Sequence, residues 1–377
     1  VDDERNFALV EPGVSYFDLY NYIKEHDLNV MLDVPDPGWG SPMGNSLDHG
    51  VGYTMGPYRD HFGSHCGLEI VTADGEVMRT GMGALPGSDT WQDYRYGVGP
   101  MVDGLFAQSN FGIVTKMGVW LMPRPETFMM ATINVPRYQD FAEMTRQVSY
   151  LEDSFLSGMP IWASPAANTS AIGTSPEALA LMEDGWPSVE RCEQFVRDSG
   201  RPAFAANMKY YGPEESVRGN WAATKRRFAK AIPGATFEDG ELLELPIAEE
   251  HEEAFGDKAQ LGIPALDIFH IVRRMPMTNA APPDGHADFF VVLPRKGEVV
   301  HQAAKVFVEI FQKHGFPVMH TPFSMPINFS SRSLMLPALV PTFRDARRNA
   351  ASRAIYSDLI DRCAENGWGA YRTSPAY

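Results

Sequence analysis

Cysteine is scarce in this chain. Its 377 residues include three, Cys66, Cys192 and Cys363, far apart in sequence. An odd, sparse count excludes a disulfide-framework fold and reads as free thiols in a reducing, intracellular compartment, the cytoplasm or the peroxisome. Basic charge is also short. Lys and Arg total 32 against 48 Asp and Glu, giving a formal net charge of −16. With no basic stripe to neutralise phosphates, nucleic acid and anionic membrane surfaces are excluded as partners. No apolar run is long enough to span a bilayer, and the opening residues do not form a signal peptide. Low-complexity tracts and defensible internal repeats are absent. What remains is an ordinary globular composition, 44% hydrophobic and 21% charged, over a length that suits two domains. The chain opens on VDDERNFALVEPGV, already entering a strand, and stops at YRTSPAY. Both ends read as those of a piece of a longer chain.

The first part alternates strand, helix and hairpin. ALVEPGV reads as a strand and SYFDLYNYIKEHDL as a helix, with Ser15 as N-cap and Asp18 completing a capping box. LEIVTADGEVMRTG reads as a hairpin turning at Asp74-Gly75. MVDGLFAQSN is predicted as a short helix and IVTKMGVWLMP as a buried strand. PRPE, from Pro123 to Glu126, breaks the pattern and sets a domain boundary. Beyond it, TFMMATINV, AFAANMKYYG, HADFFVVLP and LMLPALV read as strands, with amphipathic helices between them. The helix from Glu298 carries Ala303, Phe307, Ile310 and Phe311 on one face and stops at Gly315. This order predicts an α+β fold: residues 1–122 as one domain, 123–365 as a second built on an antiparallel sheet covered by helices, and 366–377 as a returning segment.

The chemistry concentrates in LDVPDPGWGSPMGNSLDHGVGYT, Leu32 to Thr54. Gly38, Gly40 and Gly44 miss the dinucleotide spacing G-x-G-x-x-G by one residue, as do Gly50, Gly52 and Gly56, and Pro42 stands where the following helix should form. A nicotinamide-type Rossmann site is therefore rejected. The stretch reads instead as a rigid loop whose backbone approaches something flat or charged. Asp36, held between Pro35 and Pro37, is either a base or electrostatic anchor, or a turn-capping aspartate. His61, His65 and Cys66 in HFGSHC lack the helix and the fourth ligand that a zinc site needs, so no metal is assigned. Tyr371-Arg372 could place a cation beside a phenol, but only if the chain turns there, since neighbours on a strand face opposite ways. Read without further context, the pair is a buried tyrosine and a surface arginine, and His286 is a histidine at a strand edge.

Taken together, VEPGVSYFDLYNYI, the Leu32–Thr54 stretch, RTGMGALPG, DGLFAQSNFGIVTKMGVWLMP and ENGWGAYRT resemble, in this order, the vanillyl-alcohol oxidase family, which includes para-cresol methylhydroxylase. The resemblance is specific over residues 8–125 and 355–374 and patchy between. It implies a two-domain FAD-binding fold with a substrate domain, and FAD-dependent oxidation of 4-substituted phenols through a quinone methide. It further implies oxygen, or a cytochrome in the dehydrogenase branch, as electron acceptor, and a homo-oligomer. By the same resemblance Asp36, Tyr53, Tyr371 and Arg372 are catalytic. Pro35, Asp36, Gly38, Gly40, Ser41, Gly44, Asn45, Gly50, Gly52, Tyr53, Gly112, Ile113, Val114 and His286 contact FAD. Two departures stand out. The family's tethering histidine aligns with Ala287, with His286 one residue early, and a one-residue slip on a strand flips the side chain. A histidine pair expected downstream is replaced by Ser331-Arg332. The alternatives are a flavoenzyme for another alcohol and a non-catalytic fragment.

Overall fold

The computed structural model describes residues 1–35, 37–170, 175–252, 258–266, 285–318, 320–323, 328–330 and 332–372. The chain divides into two compact units, Val1–Phe128 with Leu243–Ile268, and Met129–Leu242 with Phe269–Tyr377.

The first unit contains β1 (Phe7–Val10), α1 (Tyr16–Glu25), β2 (Val30–Met31), α2 (Pro42–Leu47), β3 (His65–Thr72), β4 (Val77–Arg79), β5 (Gly112–Trp120) and β6 (Met122–Pro123). Its main sheet is antiparallel, ordered β1-β5-β3-β4, and β2 pairs with β6. Helix α1 begins at the expected capping box, in which Ser15 Oγ accepts from the Asp18 N–H and the Asp18 carboxylate reaches back to the Ser15 N–H. The helix then lays Tyr16, Leu19 and Ile23 into a core with Val10, Leu32, Val34, Leu68, Ile70, Val114 and Met117. The β3–β4 hairpin turns at Gly75, whose φ of 82° is the positive value that the Asp-Gly pair predicts. The helix expected over MVDGLFAQSN shrinks to a single 3₁₀ turn, Asp103–Leu105. Two causes combine: the Asp103 carboxylate is drawn into a buried bond with the distant His65, and Gly104 and Gln108, the latter at φ 49°, do not sustain a helix.

Among the described residues the second unit holds two sheets. One contains β7 (Thr127–Val135), β8 (Gly158–Ser164), β9 (Phe204–Gly212) and β10 (Thr236–Glu238), ordered β10-β7-β9-β8, with α3 (Phe141–Asp153), α4 (Val189–Ser199) and α5 (Glu214–Ala231) in the connections. Strand β8 has no counterpart in the sequence reading. The other sheet pairs β11 (Gly285–Leu293) with the long strand Ser333–Thr342, which also pairs with Asn328–Ser330. Helices α6 (Gly297–Lys313) and α7 (Ala346–Glu365) cover it, with Ala303, Phe307, Ile310 and Phe311 of α6 buried as the periodicity requires. The strands are antiparallel and the helices amphipathic, so the fold is α+β.

Candidate active site

In the first unit the Leu32–Thr54 stretch is drawn around one carboxylate. Asp33 Oδ2 accepts from the Thr54 N–H at 2.8 Å and from the Thr54 hydroxyl, and Oδ1 faces His61 Nε2 at 2.7 Å. The Asp33 and His61 side chains are 3% and 6% exposed. On the far side of the imidazole, Nδ1 lies 2.6 Å from Asn45 Nδ2 and 3.2 Å from the Tyr16 hydroxyl, and Asn45 Nδ2 also donates to that hydroxyl at 3.1 Å. With a carboxylate facing Nε2 and an amide donor facing Nδ1, the ring donates to Asp33 and accepts from Asn45. Burial holds the Tyr16 phenol well above its ordinary range, with the Asp33 charge acting in the same direction. Residues 50–52 run antiparallel to 59–61, with Gly52 N–H to the Arg59 carbonyl at 3.0 Å and His61 N–H to the Gly50 carbonyl at 3.2 Å.

This packing accounts for two of the glycines. A Cβ on Gly52 would lie 1.3 Å from Asp33 Oδ1, and one on Gly50 would lie 1.7 Å from the Asn45 amide oxygen. Gly38 is similarly filled by Phe17 and Pro264, and Gly40 sits against the Pro37 carbonyl. Gly44 differs. It is exposed in the first turn of α2, with only Ser41 near its missing Cβ. Ser41 caps that turn by accepting from the Gly44 N–H at 3.3 Å. Pro35 is buried, Tyr53 is half-buried beside the anchored Thr54, and Asp36 lies outside the described residues. At the start of β5, Gly112 is half-buried, Ile113 exposed and Val114 buried.

The second histidine of HFGSHC goes elsewhere. His65 Nε2 faces Asp103 Oδ2 at 3.0 Å, its Nδ1 faces the Phe62 carbonyl, and Thr80 Oγ1 donates to the same Asp103 oxygen at 2.9 Å. The two histidines therefore serve separate carboxylates. Among the described residues no group of three or more His, Cys, Asp or Glu is placed to hold a metal ion.

In the second unit the returning segment lies along β11. The Val292 N–H donates to the Gly369 carbonyl at 2.8 Å, the Tyr371 N–H donates to the Phe290 carbonyl at 3.1 Å, and Ala370 bridges to Val291. The chain bends at Tyr371, and the Arg372 guanidinium lies over the Tyr371 ring, 4.6 Å from its centroid. The bend thus brings together two neighbouring side chains that a straight strand would have separated. The pairing of β11 is continuous from Gly285 to Leu293, without a bulge. Phe289, Val291 and Leu293 face the core, so Ala287 shares their side. His286, Asp288 and Phe290 take the other side, where His286 Nε2 meets Asp288 Oδ1 at 3.0 Å and Phe290 meets the Tyr371 ring. Of the expected replacement pair, Ser331 lies outside the described residues, and Arg332 is exposed with Nη2 3.2 Å from Asp153.

Comparison with known proteins agrees with these features. An FAD binding domain model matches residues 1–81. The 4-cresol dehydrogenase [hydroxylating] flavoprotein subunit of Pseudomonas putida is 30% identical over 386 residues, covering 100% of this chain and 69% of that protein. The chain belongs to the vanillyl-alcohol oxidase/para-cresol methylhydroxylase family. Two solved structures extend the match: 4-ethylphenol oxidase from Gulosibacter chungangensis in its isoeugenol complex, and p-cresol methylhydroxylase with substrate bound. The first has TM-score 0.74 and 29% identity and covers 99% of this chain and 69% of its own. The second has TM-score 0.73 and 30% identity and covers 99% and 70%. This family member is accordingly an FAD-dependent oxidoreductase.

The residues present suit the cofactor. The Leu32–Thr54 stretch carries no Lys or Arg, so a diphosphate there would be held by backbone amides, and the exposed Gly44 turn capped by Ser41 offers a surface without side-chain obstruction. Sequence reasoning missed Asp33, Tyr16 and His61 as the loop's anchors. His61 was weighed only as a zinc ligand, and Asp33 stands with Asp36 on either side of Val34-Pro35 in a sequence that does not reveal which way either side chain points.

Proposed function

We propose that this family member oxidises 4-substituted phenols at the benzylic carbon. The observation that carries the proposal is the Arg372 guanidinium stacked on Tyr371 in a bend hydrogen-bonded to β11. A guanidinium fixed against a phenol ring puts a cation and a hydroxyl donor on one bend, and together they can favour a bound phenol as its phenolate. Bound FAD would supply the two-electron acceptor. Tyr371 and Arg372 hold the phenolate oxygen, whose electron release assists loss of the benzylic hydride and leaves a quinone methide. By the family resemblance, Tyr53 would take a role near the reacting carbon. Asp36 tunes the flavin, assists water at the methide carbon or removes a proton. Any covalent tether from β11 on the Tyr371 side falls to His286, because continuous pairing gives Ala287 to the core. Oxygen is the acceptor we assign, with a cytochrome as the alternative.

The test is anaerobic mixing of the FAD-loaded protein with 4-ethylphenol while the visible flavin band is followed. Bleaching is expected, and Tyr371→Phe should slow it about a hundredfold. Bleaching by non-phenolic alcohols alone would replace the substrate assignment. Oxygen consumption during turnover distinguishes the two acceptors.

A further inference from the structure

We propose that Asp33 is a positioning residue whose carboxylate closes the neck of the Leu32–Thr54 loop and so sets where Tyr53 and the loop backbone meet the flavin. The inference rests on the FAD reading above and deepens it. A stretch of this length, with α2 as its main regular element, has a large conformational entropy to lose when it meets a ligand. Pre-ordering it removes that cost from the binding step. The ordering device is compact. One buried carboxylate, at one end of the stretch, takes the N–H and hydroxyl of Thr54 at the other end. Its second oxygen takes His61, whose opposite nitrogen meets Asn45 from the middle of the stretch. Tyr16, from the first turn of α1, completes the set. Beginning, middle and end are therefore tied through a single imidazole-carboxylate pair, and Gly52 is the residue that leaves room for it.

Asp33 and Thr54 thus do more than fill the interior. Tyr53 precedes the residue whose backbone and side chain are both held, and any slack at Thr54 passes directly to Tyr53. Removing the Thr54 hydroxyl, or the charge that it and His61 share, should loosen the loop without disturbing the sheet beneath it.

The experiment uses the full 377-residue chain and the variants Thr54→Val, Thr54→Ser and Asp33→Asn. Amide hydrogen exchange is read without FAD, and FAD affinity is read by flavin fluorescence. The control is Thr224→Val, which removes a buried bond to Tyr210 in the other unit. Thr54→Val and Asp33→Asn should speed exchange across residues 37–53 about tenfold or more and weaken FAD binding about tenfold, with Thr54→Ser restoring both. The control should leave the loop's exchange and FAD affinity unchanged. If Asp33→Asn does not fold, Thr54→Val against Thr54→Ser decides the matter. Unchanged exchange in residues 37–53, or an increase spread equally over the whole chain, overturns the proposal. Failure of the unmodified chain to bind FAD overturns the cofactor reading instead, while the exchange result still decides the clasp.

Discussion

The Tyr371 ring meets the Phe290 ring edge to face, with centroids 5.5 Å apart and planes at 77°, while the Tyr371 backbone donates to the Phe290 carbonyl. The tyrosine is thus held by the strand through both its backbone and its ring. An edge-to-face pair contributes about 1 kcal/mol beyond its buried area. Phe290→Ala should therefore loosen the ring, leaving the Arg372 stack and the backbone bond in place. We expect kcat/KM for 4-ethylphenol to fall about tenfold or more, with the unfolding midpoint shifted by only a few degrees. Steady-state kinetics beside a thermal melt would check this, and unimpaired kinetics would remove Phe290 from the site.

Gly52→Ala places a methyl group where Asp33 Oδ1 lies. The carboxylate has to move off His61 or the strand has to shift. A destabilisation of about 2 kcal/mol is expected, in the range for overpacking. Urea unfolding would measure it, and a variant as stable as the parent would show that the pair is loosely held.

The three thiols are buried, and burial pushes each up to about 12. At pH 8 the thiolate, which is the reactive form, is then about one part in ten thousand. Native protein should fail to reduce Ellman's reagent within minutes, and denatured protein should titrate three thiols per chain. Because the folded thiols bind their protons more tightly than unfolded ones, their contribution to stability is complete below pH 9. It is lost as pH rises toward 12. A rapidly reacting native thiol would contradict this packing.

His301 and His320 have the opposite sign. His301 lies against Tyr138 and Phe141, and His320 against Phe307. Burial lowers both to about 4. The fold holds them neutral, so their contribution is present above the unfolded value of 6.5 and disappears as pH falls toward 4. Acid unfolding of this unit should begin in that window, and His320→Gln should lower the acid midpoint by roughly half a pH unit. Circular dichroism across pH 3–7 would show the shift, and an unmoved midpoint would assign acid unfolding to other groups.

Much of the fold was legible because its signals were local. Ser15 and Asp18 announce the start of α1, Asp74-Gly75 announces a hairpin, and the spacing of Phe307, Ile310 and Phe311 announces a buried helix face. Features that depend on partners distant in sequence were not legible. Asp103 breaks its predicted helix because His65, 38 residues earlier, claims its carboxylate. Gly50 and Gly52 suggested close approach of the backbone to a ligand, yet the groups that crowd them are Asn45 and Asp33. Tyr371 and Arg372 were named from the sequence, but the bend that stacks one on the other follows from pairing with β11 and leaves no mark in the dipeptide itself.

The return of Leu243–Ile268 to the first unit has a consequence for biosynthesis. The Gly38 N–H is held by the Ala265 carbonyl at 2.9 Å, and Gly262 packs beneath Leu32. While the chain emerges from the ribosome, the Leu32–Thr54 loop must wait more than two hundred residues for this backbone partner. A translation pause near residue 240 would leave that loop with its Asp33 clasp but without this strap, and a truncated product ending at Phe128 would lack the strap however well its sheet formed.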